Sequence, residues 1–159
     1  MAAQKSEHPT PPLDQATPAE LEDFVGYNLK RAYMVVQAEF NKALEVEGFS
    51  PRVFSALSLV VQFPNITQSA LARTLDIERS GLVAIIDQLE NRQLVTRTTV
   101  SGDRRVQALV PSATGIASYQ AARDKVRDSE TRLFSHMTTQ EKSTLLALLK
   151  KTRATKDTQ

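Results

Sequence analysis

Arg97, Arg104 and Arg105 gather around Ser101-Gly102-Asp103, a turn-forming triplet. A guanidinium is a planar, permanently charged fork that matches phosphate oxygens, and a neighbouring carboxylate such as Asp103 can orient it through a charge-assisted bond. Just upstream, Arg79, Ser80, Val83, Ala84, Asp87 and Gln88 recur at a spacing that places them on one face of a helix. Arg79, Ser80 and Gln88 can donate hydrogen bonds, and Val83 and Ala84 offer methyl groups. The chemistry on offer is recognition. Bond-making chemistry has little to work with: there is no cysteine, His8 and His136 are far apart, and neither a glycine-rich phosphate loop nor a nucleophile elbow around Ser80 is present. No catalysis, metal site or other cofactor is expected.

Local signals predict the elements that hold these residues. In ITQSALARTLDIERSGLVAIIDQLENRQLV, Thr67 is placed to cap a short helix that begins at Gln68 and ends near Leu75, with Ile66 set to staple against Leu71. A second helix is expected from about Glu78 to Asn91, turning Leu82, Ile85, Ile86 and Leu89 inward and the recognition residues outward. From Leu94 the period shifts toward two, so LVTRTTV and RRVQALV read as an antiparallel hairpin. The helix pair has the layout of a helix-turn-helix, whose second helix fits the major groove of duplex DNA. An arginine-tipped hairpin suits phosphates and a narrow A·T-rich minor groove. Taken singly, two such helices are more often plain packing and such a hairpin is commonly a solvated tip; in this order they favour DNA.

The rest of the chain frames that region. Its 159 residues, 41% of them apolar, suffice for one domain with a real core, and a net charge of +2 permits a nucleic-acid partner without demanding one. Residues 1–16, carrying Pro9, Pro11 and Pro12, read as a flexible arm. Thr17, Pro18 and Glu20 form a helix start, and apolar residues from Leu21 to Leu44 keep a helical period until Gly48, which predicts one helix of close to thirty residues. Ser50-Pro51 restarts a helix that Pro64 ends. Ser112 starts a long helix, Thr138-Thr139-Gln140-Glu141 forms a capping box for the last, and residues 154–159 read as a frayed tail. No apolar run approaches a membrane span and no signal-peptide pattern opens the chain, so a soluble, cytoplasmic protein is expected.

In this order of elements the sequence resembles the MarR family of winged-helix transcriptional regulators, over residues 21–153. The most specific match is in the hairpin, where Asp103, Arg105, Leu109 and Gly115 stand at the family's spacing. The resemblance implies a mainly α fold with a small β-hairpin wing. A winged helix-turn-helix over residues 50–111 would be flanked by dimerisation helices over 17–48 and 112–153. It implies a homodimer on a pseudo-palindromic operator of double-stranded DNA, with Arg105 reaching a minor groove, supported by Asp103 and flanked by Arg104. Three departures stand out. Gly81, Val83 and Ala84 leave the recognition helix unusually apolar, Gln93 stands where a glycine commonly ends it, and Pro111-Ser112 enters the long helix, which predicts that the returning strand stops before Pro111.

Apolar stripes on the terminal helices exceed what a central winged helix can cover, which independently favours shared burial between two copies. Basic residues from Lys142 to Lys156 suit helix-dipole compensation as well as DNA contact. Many members of the family it resembles are released from DNA by small anionic aromatics, and Phe24, Tyr27 and Arg31, with Phe54 on the next helix, are candidates for such a pocket, although a Phe and Tyr stripe is more often core and a lone arginine more often surface. The expected function is a ligand-responsive repressor. The rival is a winged-helix module that binds protein instead of DNA.

Overall fold

The computed structural model describes residues 19–100 and 103–154, with the backbone alone for Ala19, Val100 and residues 103–106. The proposed arm, the helix start at Thr17 and Pro18, and residues 155–159 lie outside the described residues. The chain divides into two compact units after Gln37.

In the first unit the predicted long helix is interrupted. Helix α1 spans Ala19–Glu22 and α2 spans Val25–Glu45, with a turn at Asp23-Phe24 between them. The Asn28 side chain explains how the break is tolerated: its amide donates to the carbonyls of Glu22 at 2.6 Å and Phe24 at 3.1 Å, so a side chain takes over acceptors at the interruption. No residue from Glu20 to Gln37 is buried, and Phe24 and Tyr33 are 62% and 63% exposed.

The second unit holds the core. Ser50 Oγ accepts from Val53 N at 3.4 Å and Pro51 takes the first position of α3, Pro51–Gln62. This helix buries Val53, Ala56, Leu57 and Val60 against Leu71 of α4, Gln68–Leu75, and Leu82, Ile86 and Leu89 of α5, Arg79–Asn91. Burying a side chain of that size contributes about 1.5–3 kcal/mol, so this helical cluster dominates the unit's stability. Helix α6, Ala113–Leu133, adds Ala122 to the cluster and buries Ser129, whose hydroxyl donates to the Glu39 carbonyl at 3.5 Å.

A three-stranded antiparallel sheet in the order β1-β3-β2 completes the unit, with β1 at Ile66–Thr67, β2 at Val95–Val100 and β3 at Asp103–Pro111. The hairpin expectation therefore gains a strand: Ile66 pairs with Leu109 and Thr67 with Ala108. Strand β3 also includes Pro111, paired with Val95, one residue further than predicted. At that terminal pair the ladder ends, so the missing N–H costs little. Toward the other end the register shifts between Thr99, opposite Gln107, and Val100, opposite Asp103, so Arg104 and Arg105 fall in the irregular part of β3.

Helix α7, Thr139–Ala154, opens with the predicted capping box: Glu141 N donates to Thr138 Oγ1 at 3.2 Å, and Thr138 N donates to Glu141 Oε2 at 2.7 Å. Those bonds hold the Glu141 carboxyl below the ordinary carboxylate range. None of the residues of α7 is buried, and Leu146 and Leu148 are each 57% exposed.

Candidate nucleic-acid interface

The helix pair is built as its sequence demands. Thr67, in extended conformation, accepts from Ala70 N at 3.2 Å through Oγ1, satisfying one of the orphan amides of α4. Gln68 reaches sideways, its Nε2 donating to Gln107 Oε1 on β3 at 3.1 Å. The helix closes on Asp76, left-handed at φ 52°, with Ile77 N donating back to the Ala72 carbonyl at 3.1 Å. Aspartate tolerates that conformation better than most residues, so the turn between α4 and α5 is tight without glycine.

Helix α5 divides into two faces. Leu82, Ile85, Ile86 and Leu89 are buried, while Arg79, Ser80, Val83, Ala84, Asp87 and Gln88 are all exposed. The inward residues recur with the helical period, which leaves the other side free to enter a groove. At its end, Gln93 takes φ 57°; Gln93 N donates to the Glu90 carbonyl at 2.7 Å and Leu94 N to the Leu89 carbonyl at 2.9 Å. This is a Schellman turn with glutamine in the position that favours glycine, as the departure in sequence implied.

Arg97 is placed differently from expectation. It stands mid-strand on β2 opposite Leu109, away from the turn, and its guanidinium pairs with Asp87 and, at 3.1 Å, with Glu90. Its cation is thereby directed to carboxylates of α5, and Asp87 is held toward β2 rather than left unengaged on the exposed face. No periodicity could reveal this, because the partners lie on different elements. The backbones of Asp103, Arg104 and Arg105 belong to β3, and their side chains lie outside the described residues.

Two further features escaped the sequence. Arg92, at the end of α5, donates to the Gly48 and Glu47 carbonyls, each at 2.9 Å, and lies over the Phe49 ring at 4.3 Å. The only sequence hint was a cation near a helix C-terminus, where the dipole welcomes it. Phe54, a candidate pocket residue, packs edge-on to Phe40 at 5.9 Å and stacks on Tyr119 at 5.7 Å. Ser58 donates to the Tyr119 hydroxyl at 3.3 Å. Of the other pocket candidates, Tyr27 is half-buried, and Phe24 and Arg31 are exposed on the first unit.

Among the described residues no group of three or more histidines, cysteines or carboxylates is placed to hold a metal, and no helix is long and apolar enough to cross a membrane.

A family model described as MarR family matches residues 47–106, the span from just after α2 into β3. The whole fold is similar to a solved structure of the transcriptional repressor CouR bound to a 23-mer DNA duplex, with a TM-score of 0.82 and 32% identity over 87% of this chain and 99% of that one. The chain belongs to the MarR family. Its helices and hairpin form the winged-helix fold of that family, whose members are DNA-binding transcriptional regulators rather than enzymes. CouR from Rhodococcus jostii RHA1 bound to p-coumaroyl-CoA is similar as well, with a TM-score of 0.73 and 29% identity over 87% of this chain and 92% of that one. A putative transcriptional regulatory protein for the hcr operon of Thauera aromatica is 28% identical over 128 residues, 80% of this chain and 77% of that protein.

Proposed function

We propose that this MarR-family protein is a homodimeric repressor that binds a pseudo-palindromic operator and is released by a small aromatic or phenolic anion. The observation that carries the proposal is the α5 face, exposed beside the hairpin and backed by a buried apolar face. Each copy presents Arg79, Ser80, Val83, Ala84 and Gln88 to one major groove, and Arg104 and Arg105, steadied by Asp103, to the adjacent minor groove. Thr67 and Gln68 fix the start of the supporting helix. Because Val83 and Ala84 cannot hydrogen-bond through their side chains, groove shape and backbone contacts weigh heavily in recognition.

Dimerisation is supported by the apolar residues that stay exposed on both units: Phe24 just before α2, Tyr33 and Met34 on it, and Leu146, Leu148 and Leu149 on α7. A second copy is the simplest cover for stripes of that kind. The effector class is supported by CouR, solved with p-coumaroyl-CoA, whose acyl group is phenolic. On this chain Phe24, just before α2, and Tyr27 and Arg31, four residues apart on it, supply rings and a guanidinium for such an anion.

The test is a fluorescence titration against duplexes selected from random sequence, repeated at rising salt. Binding to a preferred duplex should weaken steeply with salt as phosphate contacts release counterions, and Arg105→Ala should flatten that dependence by about one unit of slope. A protein that selects no duplex from the pool is not the regulator proposed. Addition of p-coumarate or its CoA thioester should lower operator affinity, and no response to either sinks the effector assignment.

A further inference from the structure

Two helix ends meet at one side chain. Helix α2 closes in a Schellman turn, with Gly48 at φ 66°, Gly48 N donating to the Glu45 carbonyl at 2.9 Å and Phe49 N to the Leu44 carbonyl at 3.1 Å. The carbonyls of Glu47 and Gly48 lie beyond that ladder, and each accepts a hydrogen bond from the Arg92 fork at 2.9 Å. The guanidinium also lies over Phe49, itself only 5% exposed in the core. Arg92 caps α5, whose own Schellman turn through Gln93 follows at once. One planar cation therefore joins the last turn of α5 to the last turn of α2, where the negative end of the α2 dipole favours it.

We infer that Arg92 is a positioning residue for DNA reading: it sets the tilt at which α5 is presented and thereby the preference for operator over random sequence. The inference rests on the reading of α5 as the recognition helix. Helix α5 has 13 residues, so its first residue, Arg79, stands on the order of 18 Å along the axis from its last. Loosening the far end by a tilt of about 3° displaces Arg79 by about 1 Å, enough to misalign a hydrogen bond to a base edge. Contacts to phosphate made through long side chains tolerate such a shift, and these supply the sequence-independent share of affinity. The loss therefore falls on discrimination. Lysine is no substitute, because a single ammonium cannot reproduce the flat fork that bonds two carbonyls while stacking on a ring.

The test compares wild type, Arg92→Lys and Arg92→Met, each at a concentration normalised to its active fraction by stoichiometric titration. Each is titrated with a duplex selected by the wild-type protein and with a random duplex at the same salt. In both variants operator affinity should fall about tenfold, the scale of losing one base contact, while random-duplex affinity stays within about twofold. An equal loss on both duplexes overturns the inference, because it marks mere destabilisation. Unchanged affinity on both overturns it too. A wild-type protein that selects no preferred duplex overturns instead the reading of α5 itself, an outcome visible before any variant is made.

Discussion

Gly115→Ala probes how α6 is seated on the start of the sheet. Gly115 is buried in the first turn of α6, and a Cβ built there stands 1.9 Å from the Leu94 carbonyl oxygen and 2.8 Å from its carbon. Both atoms are backbone, so no side chain can swing aside. Real Cβ atoms do not approach closer than 3.0 Å, so the two segments must part by about 1 Å. That opening strains a compact set of bonds. Ser112 N donates to the Leu94 carbonyl at 3.0 Å, the Ser112 hydroxyl is shared between the carbonyls of Gln93 at 2.7 Å and Leu94 at 3.2 Å, and Gly115 N donates to Ser112 Oγ at 2.9 Å. Each such bond contributes about 1 kcal/mol net, and the cap belongs to the same range. Alanine recovers about 1 kcal/mol of helix propensity over glycine, which leaves a net loss of about 3 kcal/mol. For a chain of this size that lowers Tm by about 10 °C. Thermal unfolding followed by circular dichroism reads the shift directly. A Tm within about 2 °C of wild type would refute the packing argument.

Three other outcomes follow from named contacts. Gln93→Gly should raise stability by about 0.5–1 kcal/mol, because it relieves a left-handed glutamine at the end of α5; a lower denaturant midpoint contradicts this. Thr138 bonding holds Glu141 below its ordinary value of 4.5, so the folded pKa lies under the unfolded one, and the stabilisation is present above the unfolded value and lost as pH falls through the folded value. Helicity of α7 should accordingly decline on acidification below about pH 4.5, and Glu141→Gln should remove that component; a carboxyl titrating at or above 4.5 by NMR rejects the assignment. Replacing Leu146 and Leu148 together by aspartate should convert a dimer to monomer in analytical ultracentrifugation, at a cost to operator affinity, whereas a retained dimer removes α7 from the interface.

Four helix starts were legible because each is written within four residues: Ser50, Thr67, Ser112 and Thr138 all cap as their side chains require. The two faces of α5 were legible for the same reason, since periodicity is a local property. Strand β1 was not, because its two residues acquire their strand character only from Leu109 and Ala108, far along the chain. The break at Asp23-Phe24 was hidden by an apolar period that runs through it, and only the Asn28 side chain reveals how it is accommodated. Arg92 and Arg97 belong to the same class. Arg97 was expected at phosphates and Arg92 drew no expectation, yet each directs its charge to partners within the chain, carboxylates in the first case and carbonyls in the second. Sequence locates cations; only the fold assigns them.

Thr67 belongs to two structures at once. Its backbone pairs with Ala108 in the sheet while its hydroxyl caps α4, and Gln68 repeats the connection to Gln107 one residue later. Peeling the base of the wing from the sheet therefore removes the partners of Thr67 and Gln68, the residues at the start of the helix that packs on α5. In hydrogen-exchange terms the amides of Ala70 and Ala108 should report a single opening event with a common free energy, and that event should slow together for both when DNA is bound. A winged helix joined in this way opens and closes as one cooperative piece.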